Sequence, residues 1–106
     1  MNKPKDIIAA ELVRAIINNE GILNEEVVET SVRKTNIYNR YKVDITYRTE
    51  FTSEFTLRAR VHFDNITPRV FVDIYETKGE PEMRCMEISD GDIIDEYTGE
   101  VLAKTK

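Results

Sequence analysis

A chain of 106 residues has room for one hydrophobic core and no second domain. Hydrophobic residues make up 41% and charged residues 33%, and the β-branched and aromatic content is too high for a disordered chain. The single cysteine, Cys85, excludes an internal disulfide and a cysteine-rich zinc site, and no apolar run reaches the ~18 residues that cross a bilayer. With no secretory hydrophobic segment after Met1, these features place the expected location in the cytoplasm, of a cell or of an infected host. The net charge of −5 is unevenly spread. Its balance runs −3, +4 and −6 over residues 1–32, 33–69 and 70–106, so a locally cationic middle lies inside an acidic protein.

The first element is a helix over residues 4–19. Pro4 suits a first turn, and Asp6 complements the positive helix end. Ile8, Leu12, Ala15 and Ile16 fall at the spacing of one buried stripe, widened by Ile7, Val13 and Ile17. Asn19 and Gly21 are terminators. Residues 27–34 are ambiguous: Asn24 is a possible helix cap, but Val28, Thr30 and Val32 alternate and favour a strand.

From Tyr41 to Phe63 the period is two. The odd positions are almost all apolar and the even ones polar, over a run of 23 residues. One strand of that length would span about 75 Å at ~3.3 Å per residue, so the run must fold back. An odd-length loop keeps the odd positions on one face. A three-residue loop at 51–53 would set Tyr47 opposite Leu57, Val43 opposite Val61 and Asp44 opposite Arg60, while the lack of a left-handed glycine there leaves a longer or bulged connection open. Residues 69–76 and 81–88 read as further strands, separated by a turn at residues 77–80. After the turn at residues 89–92, an acidic hairpin or tail occupies the remainder, to residue 106. The expected fold is therefore α+β, a single domain over residues 1–106. One N-terminal helix packs on a four- to five-stranded antiparallel meander over residues 27–88, with short connections joining neighbouring strands.

Site chemistry is sparse. His62 is the only histidine and lies on the polar face beside Arg60, with no partner at the spacing a general base or metal site requires. Cys85 has cationic Arg84 beside it in sequence, but strand neighbours point to opposite faces, so that adjacency does not activate a thiol. The carboxylates Asp90, Asp92, Asp95, Glu96 and Glu100 miss the calcium-loop pattern, with Ile94 at the fifth position and Asp95 at the sixth. Four scattered glycines write no phosphate loop, and the serines lie in no nucleophile-elbow context. No enzyme, metal or cofactor is expected.

What stands out is the even-numbered face of the central strands, an open mixed-charge surface. Lys42, Arg48, Arg58, Arg60 and His62 are its candidate partner-binding residues, arginine being suited to paired hydrogen bonds with carboxylates or phosphates. Base stacking would need exposed aromatics, and only Phe71 or Tyr75, depending on the phase of the strand at residues 69–76, would face outwards. A helix laid on an antiparallel meander resembles cystatin-like and other small binding folds in architecture, but the glutamine-valine inhibitory loop is missing. The small acidic chain and its tail around Tyr97 resemble small proteins encoded by phages or other mobile elements. The expected function is a non-enzymatic protein-binding module, an inhibitor or modulator of a host protein. The alternatives are a homo-oligomeric assembly protein and a nucleic-acid binder using the arginine-bearing face. No membrane partner is expected.

Overall fold

The computed structural model describes residues 3–19, 26–48, 54–76 and 82–106. The expected terminator Gly21, the cap Asn24 and the turns at residues 51–53 and 77–80 lie outside these. A helix, α1 (Lys5–Asn19), is followed by seven strands: β1 (Glu26–Lys34), β2 (Arg40–Arg48), β3 (Glu54–Phe63), β4 (Arg69–Glu76), β5 (Glu82–Ser89), β6 (Asp92–Asp95) and β7 (Val101–Lys104). All are antiparallel and hydrogen-bonded in chain order, a pure meander. The α+β class holds, and residues 27–34 are a strand. The strand number is seven rather than four to five, because the C-terminal hairpin joins the main sheet. The cause is local. Asp90 (φ 51°) and Gly91 (φ 87°) form a two-residue turn with both central residues left-handed, and Ser89 closes on Asp92. That turn matches strand twist, so β6 is laid directly against β5.

The sheet curls into a half-barrel around the helix, which packs against β1, β2 and β7. Ile8, Ala9, Leu12, Val13, Ile16 and Ile17 are buried, an arc of roughly 180° at 100° per residue. Such a wide arc suits a helix enclosed by a curved wall rather than laid on a flat one. Ile7 falls outside the arc and is exposed, whereas the small Ala9 lies at its centre. The chain before the helix also touches the residue just past the last strand, since the Lys3 amide donates to the Thr105 carbonyl at 2.9 Å.

The wall supplies the other half of the core: Tyr41, Val43, Ile45 and Tyr47 from β2, Leu57, Ala59, Val61 and Phe63 from β3, then Val70, Val72, Ile74, Met86 and Ile93. The odd positions of residues 41–47 and 57–63 thus face inwards as the alternation requires, with Phe55 partly buried beside Tyr47. The register differs from expectation by two residues. Tyr47 lies opposite Phe55, Val43 opposite Ala59 and Asp44 opposite Arg58. Arg48 pairs with Glu54, so the connection takes the five residues 49–53 instead of three. Five is also odd, so the faces are preserved while the partners shift.

At the opposite end the β1–β2 and β3–β4 loops are joined. Asn39, at φ 61°, accepts from Lys5 Nζ at 2.7 Å, and its side-chain amide donates to Asn65. Asp64 holds its own loop by accepting from the Thr67 hydroxyl and the Ile66 amide, which lower its carboxyl below the ordinary range.

Candidate docking face

The outward, convex face follows from the register. Lys42, Arg48, Arg58, Arg60 and His62 all lie on it, together with Asp44, Thr46, Glu54 and Thr56. The structure brings the five candidate residues onto one surface, and three of them, Arg48, Arg58 and Arg60, lie against carboxylates. Arg48 meets Glu54 at 3.2 Å, and Arg58 lies across from Asp44. Arg60 Nη2 donates to Asp73 Oδ2 at 2.7 Å, with its guanidinium 4.5 Å from the Tyr75 ring centre. Further along, Arg69 approaches Glu96 at 3.5 Å. Opposite charges in lateral register stabilise the sheet and reduce its field towards a polyanion.

Pairing of β3 with β4 sets Asp73 beside Arg60 and Phe71 beside His62, which puts Phe71 and Tyr75 both outside. On β5, Cys85 lies opposite Phe71, and Met83 opposite Asp73. His62 and Phe71 stack with ring centres 6.4 Å apart. Phe71 is 37% exposed and Met83 75%, so an aromatic and thioether strip runs across β4 and β5, bordered by Arg60 and Arg69. The alternation within β4 does not by itself say which of its faces is the outer one. The parity of the β3–β4 connection was the missing signal, and it assigns the odd residues of β4 to the side of the even residues of β3.

Beside Met83 the sheet opens. β5 has eight residues and β6 only four, and their pairing ends where Met86 meets Asp95. The first half of β5 therefore has no neighbouring strand on that side among the described residues. A groove of about 520 Å³ results, lined by Met83, Cys85, Glu96 and the fully exposed Tyr97 among others. The Ile88 amide donates to the Pro68 carbonyl, so even residues of β5 turn their backbone towards β4. Met83 and Cys85, being odd, turn their N–H and C=O groups into the groove.

His62 and Cys85 have different surroundings. His62 Nδ1 is buried without a hydrogen-bond partner among the described residues, its ring stacked on Phe71. Burial pushes the Cys85 thiol up, and its hydrogen bond to the Glu96 carboxylate and that group's charge push the same way. A thiol so placed is a poor nucleophile at neutral pH. Alkylation of Cys85 by iodoacetamide at pH 8 should therefore be several-fold slower in the native protein than in urea, and Glu96→Gln should speed it. The linkage has a definite sign. Unfolded thiol titrates near 9.0, and native thiol above that. The native state keeps its proton longer, so stability is complete below about pH 9 and falls as pH rises beyond it.

Among the described residues no three histidine, cysteine, aspartate or glutamate side chains group as metal ligands, and no helix is long and apolar enough to cross a membrane. Asp95, the buried member of the acidic turn, is occupied by the hairpin: its Oδ1 accepts from the Tyr97 amide at 2.8 Å, and its Oδ2 meets Arg84 at 3.4 Å. Comparison with protein-family models, curated proteins and solved structures returned no match.

Proposed function

We propose that this chain is a non-enzymatic protein-binding module acting in the cytoplasm, and that it docks through the convex face of β3, β4 and β5. The observation that carries this reading is the outward strip of Phe71, Tyr75 and Met83 bordered by charge-paired arginines. Protein interfaces concentrate aromatic residues, methionine and arginine at the centre, with a polar rim. The five residues Lys42, Arg48, Arg58, Arg60 and His62 then form one flank of the docking face rather than its centre. The balanced charge around Arg48, Arg60 and Arg69 favours a protein partner over a nucleic acid, which would need unpaired cations. An inhibitor or modulator encoded by a mobile element fits a small domain whose chemistry is all on its surface.

The test uses the protein as bait in lysate of its native host, with and without nuclease, against the variant Phe71→Ser/Met83→Ser. A partner retained by the wild type, lost with the variant and indifferent to nuclease supports the reading. Equal capture by both removes this face, and a nuclease-sensitive, steeply salt-dependent interaction turns the reading to nucleic acid.

A further inference from the structure

The sheet has one long edge, β1, which among the described residues is bonded only to β2. No described side chain of β1 from Val27 to Lys34 is buried, in contrast to β2, where every second residue is. Beyond the bulge between Val27 and Glu29, the stretch from Glu29 to Lys34 of this edge offers a regular row of unpaired backbone groups to another strand. Its hydrogen-bonding phase is fixed by the structure. The Thr35 amide donates to the Arg40 carbonyl at 3.1 Å, in the same register that sets Lys34 opposite Tyr41 and Glu29 opposite Thr46. Bonding alternates along an antiparallel pair, so Ser31 and Arg33 turn their backbone to β2 while Thr30, Val32 and Lys34 turn theirs to the open edge.

The charges on the edge are incomplete within one chain. Arg33 lies opposite Lys42, which in turn lies opposite Arg60, so a cationic row runs outwards across β3, β2 and β1 and stops at the edge. Like charges in lateral register are unfavourable, and neither Arg33 nor Glu29 makes an ion pair with any described residue. The strand nevertheless carries the missing complement in its own sequence.

We infer that two copies of this chain pair through β1, antiparallel about a two-fold axis at Ser31. Backbone phase admits two-fold axes only at whole residues, and three are near the middle of the regular stretch 29–34. An axis at Thr30 sets Glu29 against Ser31 of the second copy, and an axis at Val32 sets Arg33 against Ser31. Only the axis at Ser31 sets Glu29 against Arg33 twice, with Thr30 and Val32 exchanging backbone hydrogen bonds. Each cationic row then ends on a carboxylate from the second copy. The isologous arrangement is the one expected of a closed dimer, and it joins the two convex faces side by side. It stands independently of what docks on those faces.

The test is sedimentation equilibrium of the whole chain over a concentration series, for the wild type, Glu29→Arg and Arg33→Glu. The wild type should dimerise, and each single reversal should weaken its own dimer by about thirtyfold, since two attractive pairs become repulsive. Mixing the two variants should restore dimerisation. The first then presents arginine at both positions and the second glutamate at both, so each pair across the axis is again one of opposite charge. A wild type that stays monomeric throughout overturns the inference. So does a dimer indifferent to both reversals, or one that mixing fails to restore.

Discussion

Replacing Asp95 by alanine is expected to cost about 3 kcal/mol of folding free energy, read as a fall in the urea midpoint at constant slope. The side chain is 8% exposed and serves three groups: the Tyr97 amide at 2.8 Å, the Thr98 amide at 3.4 Å and Arg84 at 3.4 Å, itself only 23% exposed. Truncation leaves two turn amides without their acceptor and a largely buried guanidinium without this carboxylate, and unsatisfied groups cost more than the bond gained on forming them. Asp95→Asn separates the contributions. It retains an oxygen for the amides and loses the charge, so it should cost about half as much. A midpoint unchanged in the alanine variant would mean that the hairpin is held by its backbone bonds alone, the Asp95 amide to Glu100 and the Gly99 amide to Asp95.

The same hairpin marks where the sequence was hard to read. The alternation from Tyr41 to Phe63 is a local property that each residue obeys, so the inner and outer faces of β2 and β3 were legible. Register is not local in that sense. Moving the partner of Tyr47 from Leu57 to Phe55 leaves every side chain on its own face, and the pattern cannot distinguish the two. Asp90-Gly91 is a strong hairpin signal because both residues tolerate the left-handed region, and it sets β6 against β5. Read only as part of an acidic turn, it leaves the last two strands outside the sheet. The docking strip was illegible for a related reason. Phe71 and Tyr75 are an ordinary strand pair in sequence, and only the pairing of Asp73 with Arg60 turns them outwards. Helix burial followed the 3.6 period, except that curvature of the wall drew in Ala9 and left Ile7 in solvent.

Curvature also dictates the second large effect. β1 and β7 are the two ends of the sheet and are not neighbours in it, so the helix is what spans them. Leu12 lies in the buried arc of that helix with no exposed surface. Leu12→Ala removes three heavy atoms from a contact that rigid strands on several sides cannot close around. It should cost about 3 kcal/mol, a fall in Tm of roughly 10–20 °C for a domain of this size. Ile7→Ala, on the exposed side of the same helix, should cost less than about 0.5 kcal/mol. Equal costs at the two positions would contradict a helix enclosed by the sheet. The pair also separates stability from recognition. Leu12 lies inside the wall and the Phe71–Met83 strip outside it, so Leu12→Ala should lower partner capture only in proportion to the folded fraction. Phe71→Ser/Met83→Ser should abolish capture even at a temperature where the variant is fully folded, despite some loss of Tm from the His62–Phe71 stack. If stabilising Leu12→Ala with an osmolyte failed to restore capture, the inner packing would be shaping the convex face directly, through the curl it imposes on β3, β4 and β5.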